Sequence, residues 1–336
     1  MTVFFVISAV FLCLYITVVA QESGVSDAAK SLGLKVTWTA PMPSTAMDDA
    51  KAFISEQWSL PYKHFYGDTN LAFTEDTISS NSSSSSTVLR ILYGQGSYSP
   101  SATRSSNVAL GGTDFYTQPL QNQSFASALL SYEVAFASNF DWVLGGKLPG
   151  IFGGTPGVGC SGGQQSDDNQ CFSMRLMWRE AGNGEAYGYI PRASEYCRKH
   201  PLTQCHDDYG VSFSRGMIQL QKNQWTKLEI FVQINDPPSE SNGILKVWQD
   251  GNLVIYQNDV VFRTSNALAV SSLMFSTFFG GGTTKYATPS DTYAYFKNIQ
   301  YSVGAPVVLT NSVSFVSTSF LVYIIPYLVF LFLQCL

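Results

Sequence analysis

Short runs of alternating apolar and polar residues, each cut off by Gly, Asn, Ser or Pro, recur from about residue 34 to residue 302 of this chain. VLRILYG, LLSYEVAF, TKLEIFVQI, GILKVWQDG and YAYFKNIQYSV are examples. Successive side chains of a strand point to opposite faces, so each run can bury one face and wet the other. Strands this short and this regularly punctuated predict one all-β domain, a sandwich or barrel. Asp250-Gly251 is a two-residue hairpin signal between two such runs. The one helix-like piece lies at about residues 45–57, and the NSSSSS run from Asn81 to Ser86 reads as a surface loop. No repeat and no interdomain linker interrupts the pattern.

Both ends of the 336-residue chain differ from this middle. Residues 1–20 are apolar and uncharged and close on small residues, which predicts a secretory signal peptide cut before Gln21; a retained membrane anchor is the alternative. The last stretch, SFVSTSFLVYIIPYLVFLFLQCL, is also uncharged, with no Lys or Arg after it. Small residues (Ser302, Gly304, Ala305) and a mildly polar spacer precede it, the arrangement of a signal for a glycosylphosphatidylinositol anchor. The expectation is a 21–302 domain followed by a 303–336 tail that is removed, with the lipid on Ser302 or Gly304. A tail that stays in the membrane is the alternative, and either places the protein at the cell surface. Asn81 and Asn122 are glycosylation acceptors.

Export sorts the cysteines. Cys13 and Cys335 leave with the two end segments, and Cys160, Cys171, Cys197 and Cys205 remain where disulfides persist. Four cysteines allow three connectivities, of which the short loops favour Cys160–Cys171 and Cys197–Cys205. Their spacing matches no metal-binding pattern. The formal net charge of −5 argues against a nucleic-acid partner. An acidic polymer would therefore need basic groups gathered locally in a groove.

FSMRLMWREAGNGEAYGYIP, residues 172–191, reads as two strands around a Gly-Asn-Gly turn. Phe172, Met174, Leu176 and Trp178 form one apolar face of the first strand; Ser173, Arg175, Met177 and Arg179 form the other. Tyr187 and Tyr189 share a face of the second. The plainer reading is a solvated outer face, with the arginines pairing to Glu180 or Glu185 and the tyrosines packing. The sharper one is a groove in which a guanidinium holds a carboxylate and a nearby phenol exchanges protons. Upstream, Lys147 sits among glycines in WVLGGKLPGIFGG, which is not a phosphate loop because no Gly-Lys-Ser/Thr follows. His64, His200 and His206 match no motif and read as surface or structural groups.

GGKLPGIFGG, CFSMRLMWR and AYGYIP, with LYGQGSYSP upstream and LMFSTFFGGG downstream, together resemble polysaccharide lyase family 14 over about residues 85–301. The resemblance implies a β-jelly roll of two antiparallel sheets with a concave groove and β-elimination on an acidic polysaccharide such as alginate or polyglucuronate. It implies a catalytic set of Lys147, Ser173, Arg175, Tyr187 and Tyr189, and no metal or cofactor. In this scheme Arg175, helped by Lys147, offsets the uronate charge. One tyrosine takes the carbon-5 proton, a tyrosine protonates oxygen 4, and Ser173 orients the carboxylate or the base. Tyr93, Gln95, Ser97 and Tyr98 are expected along the groove, with strand-end packing as the alternative; Arg179 and Lys285 are expected there too, and the protein is expected to act as a monomer. Two departures are Gln95, where relatives often carry another residue, and the insert GVGCSGGQQSDDNQC beside the groove, which could alter the sugar accepted. The rivals are a jelly-roll glycoside hydrolase, disfavoured because no paired acidic strand motif is present, and a non-catalytic lectin for acidic polymers.

Overall fold

The computed structural model describes residues 24–61, 65–79, 87–106, 110–121, 123–166, 170–191, 196–198, 200–205 and 209–310. The expected end signals (all but residues 303–310 of the tail), the acceptors Asn81 and Asn122, and His64 and His206 lie outside these residues. No helix among the described residues is long and apolar enough to cross a membrane.

Two antiparallel sheets pack face to face, as the alternating runs require. The first sheet runs in the order Asn252–Val260, Gly243–Gln249, Thr226–Gln233, Ser127–Phe136, Thr292–Val303, Thr87–Tyr93, Leu71–Glu75, with Val36–Thr39 also pairing on Thr292–Val303. The second runs Thr203–Gln204, Val211–Gln219, Asn183–Tyr189, Cys171–Arg179, Gly145–Gly154, Val270–Phe279, Ser124–Phe125, Pro306–Val307, with Thr113–Thr117 on Val270–Phe279. Asp250 and Gly251 close their hairpin with φ of 50° and 80°, the left-handed pair that matches strand twist.

The core between the sheets takes alternate residues of every central strand. Phe172, Met174, Leu176 and Trp178 all enter it, and so do Leu89, Ile91 and Tyr93 of the facing sheet. Cys171, Met177, Tyr187 and Tyr189 fall instead into a separate cluster on the far side of the second sheet, with Phe152, Tyr116 and Met274. A period of two therefore sorts one sequence into two environments.

The helix is shorter than expected. It spans Ala50–Gln57, because Asp49 caps it by accepting the Ala52 N–H at 3.3 Å, while Met47 trades backbone hydrogen bonds with Phe73 at 2.9 Å. Two further short helices, Asp27–Ser31 and Pro100–Ser106, are additions to the sequence reading. Beyond residue 302, the expected domain end, the chain stays on the sandwich for a few more residues. Ser302 is buried within Thr292–Val303 and bonds to Thr37 Oγ1 at 2.8 Å, Gly304 N–H donates to Ser127 O, and Pro306–Val307 pairs with Ser124–Phe125.

Outside the core, Asp76 anchors the turn after Leu71–Glu75. Its carboxylate accepts from Ile78 N–H, Ser79 N–H and Oγ, Trp225 Nε1 and Lys297 Nζ, the last at 2.9 Å, and Lys297 lies 4.0 Å from the centre of the Trp225 ring. Burial alone would raise the Asp76 pKa; the Lys297 ammonium and the hydrogen bonds overcome it and hold the group at about 2. A carboxylate depressed in the fold stabilises the protein above the unfolded pKa and loses that contribution as pH falls toward the folded one. Asp76→Asn is expected to lower the unfolding free energy at pH 7 by about 2 kcal/mol. The gap from wild type narrows as pH falls from about 4 toward about 2. Urea unfolding at pH 7, 4 and 3 checks both; a gap independent of pH contradicts the assignment.

Candidate active site

Three neighbouring strands build the site. In Cys171–Arg179 and Asn183–Tyr189 the pairs Ser173–Tyr189, Arg175–Tyr187 and Met177–Glu185 stand directly opposite one another. The turn expected at Gly-Asn-Gly is instead a single 3-10 turn, Glu180–Gly182, with Ala181 in the left-handed region at φ 58°. On the other side, Gly145–Gly154 sets Lys147 against Met177 and Gly150 against Arg175, with one extra residue between the two pairs. Pro149 falls in this bulge, where its missing N–H costs no ladder bond, and the bulge turns Lys147 to the outer face. Only glycine fits at 150, since a Cβ there would lie 2.4 Å from the Arg175 Cα.

All five expected catalytic residues thus share the outer face of one sheet, but they do not share one exposure. The loop closed by the Cys160–Cys171 disulfide lies over part of that face. Ser173 Oγ donates to Cys160 O at 2.7 Å, Arg175 Nη2 donates to Ser161 Oγ at 3.0 Å, and Tyr189 Oη accepts from Gly163 N–H at 3.0 Å. Ser173 and Arg175 are fully buried as a result. An outward-looking, solvated Ser173 and Arg175 is therefore corrected: the insert expected beside the groove roofs these residues. Arg175 Nη1 reaches Ser276 Oγ at 3.2 Å, and its buried Nε–H has no hydrogen-bond partner among the described residues.

Lys147 and Tyr187 face an open cleft of about 520 Å³, lined also by Arg179, Gln204, Tyr209, Ser212, Arg215 and Tyr286. Lys147 Nζ sits 4.0 Å from the centre of the Tyr187 ring and 2.9 Å from Met177 Sδ. Burial, and then the positive charges of Arg175 and Arg179, push the Lys147 ammonium well below its usual pKa; Glu185 opposes this more weakly. Tyr187 moves the other way. Burial and the adjoining Tyr189 hydroxyl raise its pKa, against the Gly210 N–H that its oxygen accepts at 2.8 Å and the charge of Arg175. The pair therefore favours a neutral amine beside a protonated phenol.

Arg179 lines the cleft and pairs with Glu185, whose carboxylate is fully buried; Arg215 Nε and Ser212 Oγ bind its other oxygen at 2.6 and 2.5 Å. Burial alone would raise the Glu185 pKa, but the two guanidinium groups and Ser212 hold it below the usual range. Of the two arginine partners the sequence offered, Glu180 and Glu185, the structure takes Glu185, two residues before Tyr187 on the same face. Arg215 could not be placed from the sequence, since the register between Val211–Gln219 and Asn183–Tyr189 slips between Phe213 and Ile218.

Other expected contacts fall elsewhere. Tyr93 lies between the sheets, its hydroxyl bonded to Thr277 Oγ1, and is sealed from solvent; Tyr98 is also buried in the core cluster and does not line the cleft. Ser97 is buried with its backbone bonded to Gly94 and Thr288, and Gln95 is exposed with its N–H on the Asp291 carboxylate; neither lines the cleft. Lys285 is exposed on the Thr284–Tyr286 turn, which sends Tyr286 to the cleft instead. His200 stacks on Tyr196 and bonds to Asp259 at 2.8 Å, a structural role. The second disulfide joins Cys197 and Cys205, the other pairing that the short loops favour.

Residues 81–299 match the family model described as polysaccharide lyase 14. The fold is similar to the crystal structure of a PL-14 alginate lyase from Aplysia kurodai, with 33% identity, a TM-score of 0.67, and coverage of 81% of this chain and 99% of that one. It is also similar to an alginate lyase from a Chlorella virus, at 22% identity and a TM-score of 0.57 over 76% of this chain and 98% of that one, a likeness of fold. A protein named Exolysin from Paramecium bursaria Chlorella virus 1 is 24% identical over 196 residues, 54% of this chain and 30% of that protein, so the match spans under a third of that relative's length.

The roof over Arg175 depends on a short cross-link, so Cys160→Ser with Cys171→Ser is expected to lower the unfolding free energy by about 2–3 kcal/mol. The same pair of changes speeds amide hydrogen exchange at Gly163, whose N–H the Tyr189 hydroxyl holds. Unchanged exchange there would mean the loop keeps its place without the disulfide.

Proposed function

The chain belongs to polysaccharide lyase family 14, and on that premise we propose that it cleaves a polyuronate of the alginate or glucuronan class by β-elimination, leaving unsaturated uronate ends. The observation that carries this reading is Lys147 beside Tyr187 in one cationic cleft, with their proton affinities driven in opposite directions.

The carbon-5 proton of a uronate is weakly acidic, and its removal builds negative charge on the adjoining carboxylate. Arg179 at the cleft wall and Arg175 beneath the roof supply fixed positive charge where that density grows. Neutral Lys147 takes the proton. The electron pair left behind forms the bond between carbons 4 and 5, and the bond from carbon 4 to the glycosidic oxygen breaks. That oxygen receives the proton of Tyr187, and Lys147 then returns a proton to the phenolate. This reading moves proton removal from a phenol to the amine, because burial favours the protonated phenol at Tyr187 and shifts Lys147 toward the free amine. Tyr189 and Ser173, held by the roof, position Tyr187 and the disulfide loop. A hydrolase would need two carboxylates flanking the bond, whereas Glu185, on the same strand face as Tyr187, is buried and committed to two arginines.

The two disulfides support a secreted protein, and surface display through the C-terminal anchor signal, as a monomer with Asn81 and Asn122 glycosylated, belongs to the same proposal.

Incubation with polymannuronate, polyguluronate and polyglucuronate is expected to yield products absorbing in the near ultraviolet from at least one polymer. Reducing ends without that absorbance would show hydrolysis, and binding without either would show a lectin. Lys147→Arg and Tyr187→Phe are each expected to cut kcat by about 100-fold or more. Because Lys147 must be neutral and its pKa is depressed, the rate rises with pH along a limb lying well below the ordinary lysine range. A limb at the usual lysine pKa would remove Lys147 as base.

A further inference from the structure

We propose that Arg215, aimed by the buried carboxylate of Glu185, binds the carboxylate of a second uronate further along the same chain, making the cleft selective for contiguous acidic sugars. The inference rests on the lyase reading of the Lys147–Tyr187 centre, and it assigns a subsite to residues outside that centre.

The cleft does not end at the catalytic pair. A second depression of about 410 Å³, walled by Leu144, Asn183 and Gly216, shares Arg179, Arg215 and Tyr286 with the first. These three residues form a saddle between two hollows, the form a groove takes when a polymer runs past the point of cleavage. Glu180 is exposed and lines only the second hollow, so an acidic ring is drawn to the saddle rather than to the far wall.

The saddle is built for an anion. Glu185 is fully buried and gives one oxygen to Arg179 and the other to Arg215 Nε and Ser212 Oγ. One carboxylate answers two guanidinium groups, leaving a net positive charge at the surface. Arg215 keeps 39% of its side chain exposed, and its Nη1 has no partner among the described residues. Anchoring Nε fixes the plane of the guanidinium before ligand arrives, so less rotamer freedom is lost on binding. Glu185 is a positioning residue in this arrangement, and Arg215 is the contact.

Tetramannuronate and tetraglucuronate titrated calorimetrically into the full chain carrying Tyr187→Phe, with and without Arg215→Gln, test the subsite without turnover. Arg215→Gln is expected to weaken binding of at least one tetrasaccharide by about 10- to 100-fold, and in the otherwise wild-type protein to raise KM similarly with kcat within about threefold. Arg215→Lys, which keeps the charge but loses the Nε bond, falls between. Glu185→Gln is expected to raise KM too; should it fail to fold, the two Arg215 variants carry the test, with thermal melts confirming that they fold. Unchanged affinity in Arg215→Gln, a loss confined to kcat, or no binding of either tetrasaccharide overturns the proposal. Cleavage with unchanged affinity removes the subsite alone. Weakened binding in a protein that cleaves no polyuronate removes the lyase reading and leaves the subsite.

Discussion

A local excess of basic groups on one sheet face is the constraint from which the cleft follows. Lys147, Arg175, Arg179 and Arg215 converge there, and the carboxylate among them, Glu185, is buried and shared between two arginines. The chain as a whole carries a formal charge of −5, so this field is local. Its effects are chemical as well as attractive. Crowded by burial and by two guanidinium groups, Lys147 gives up its proton more readily than an ordinary lysine, which suits its amine to act as a base. A uronate chain entering the cleft meets charge that would otherwise be unfavourable to gather.

The field is maintained by covering part of it. Arg175 is held away from water by residues 160–163, and the roof is tied to the sheet through Ser173, Arg175 and Tyr189. Burying a guanidinium without a carboxylate is costly, and hydroxyl acceptors, Ser161 Oγ and Ser276 Oγ, offset only part of that cost. The remaining Nε–H stays unmatched among the described residues. The covered arginine shapes the electrostatics of the open half of the cleft, where Lys147 and Tyr187 meet solvent.

Backbone geometry makes the same division. A bulge at Pro149 turns Lys147 outward, and Gly150 lets the neighbouring strand approach within a distance that no side chain would allow. Tyr187 is fixed from both sides, by the Gly210 N–H and by Tyr189. Had the turn at Glu180–Gly182 been one residue longer, the pairing of Arg175 with Tyr187 would have slipped and the phenols would have faced the core.

The alternation of apolar and polar residues was sufficient by itself to specify an all-β domain, the apolar face of Phe172 to Trp178, and the facts that Ser173 shares a face with Arg175 and Tyr187 with Tyr189, because a strand has a period of two wherever it lies. That the two pairs share one face was decided by the register of the turn between them. The short cysteine spacings likewise pointed to the two disulfides observed. Tyr93 falls in step with Leu89 and Ile91 on the core face of its strand, where the period of two places it rather than along the groove. What an alternating pattern cannot carry is what lies above a face. Only the folded chain decided that the disulfide loop seals Ser173 and Arg175, that Arg215 arrives past a slipped register, and that the pKa values of Lys147 and Tyr187 are displaced in opposite directions. Burial and charge depend on contacts between segments remote in sequence, and those contacts exist only once the sheets have packed.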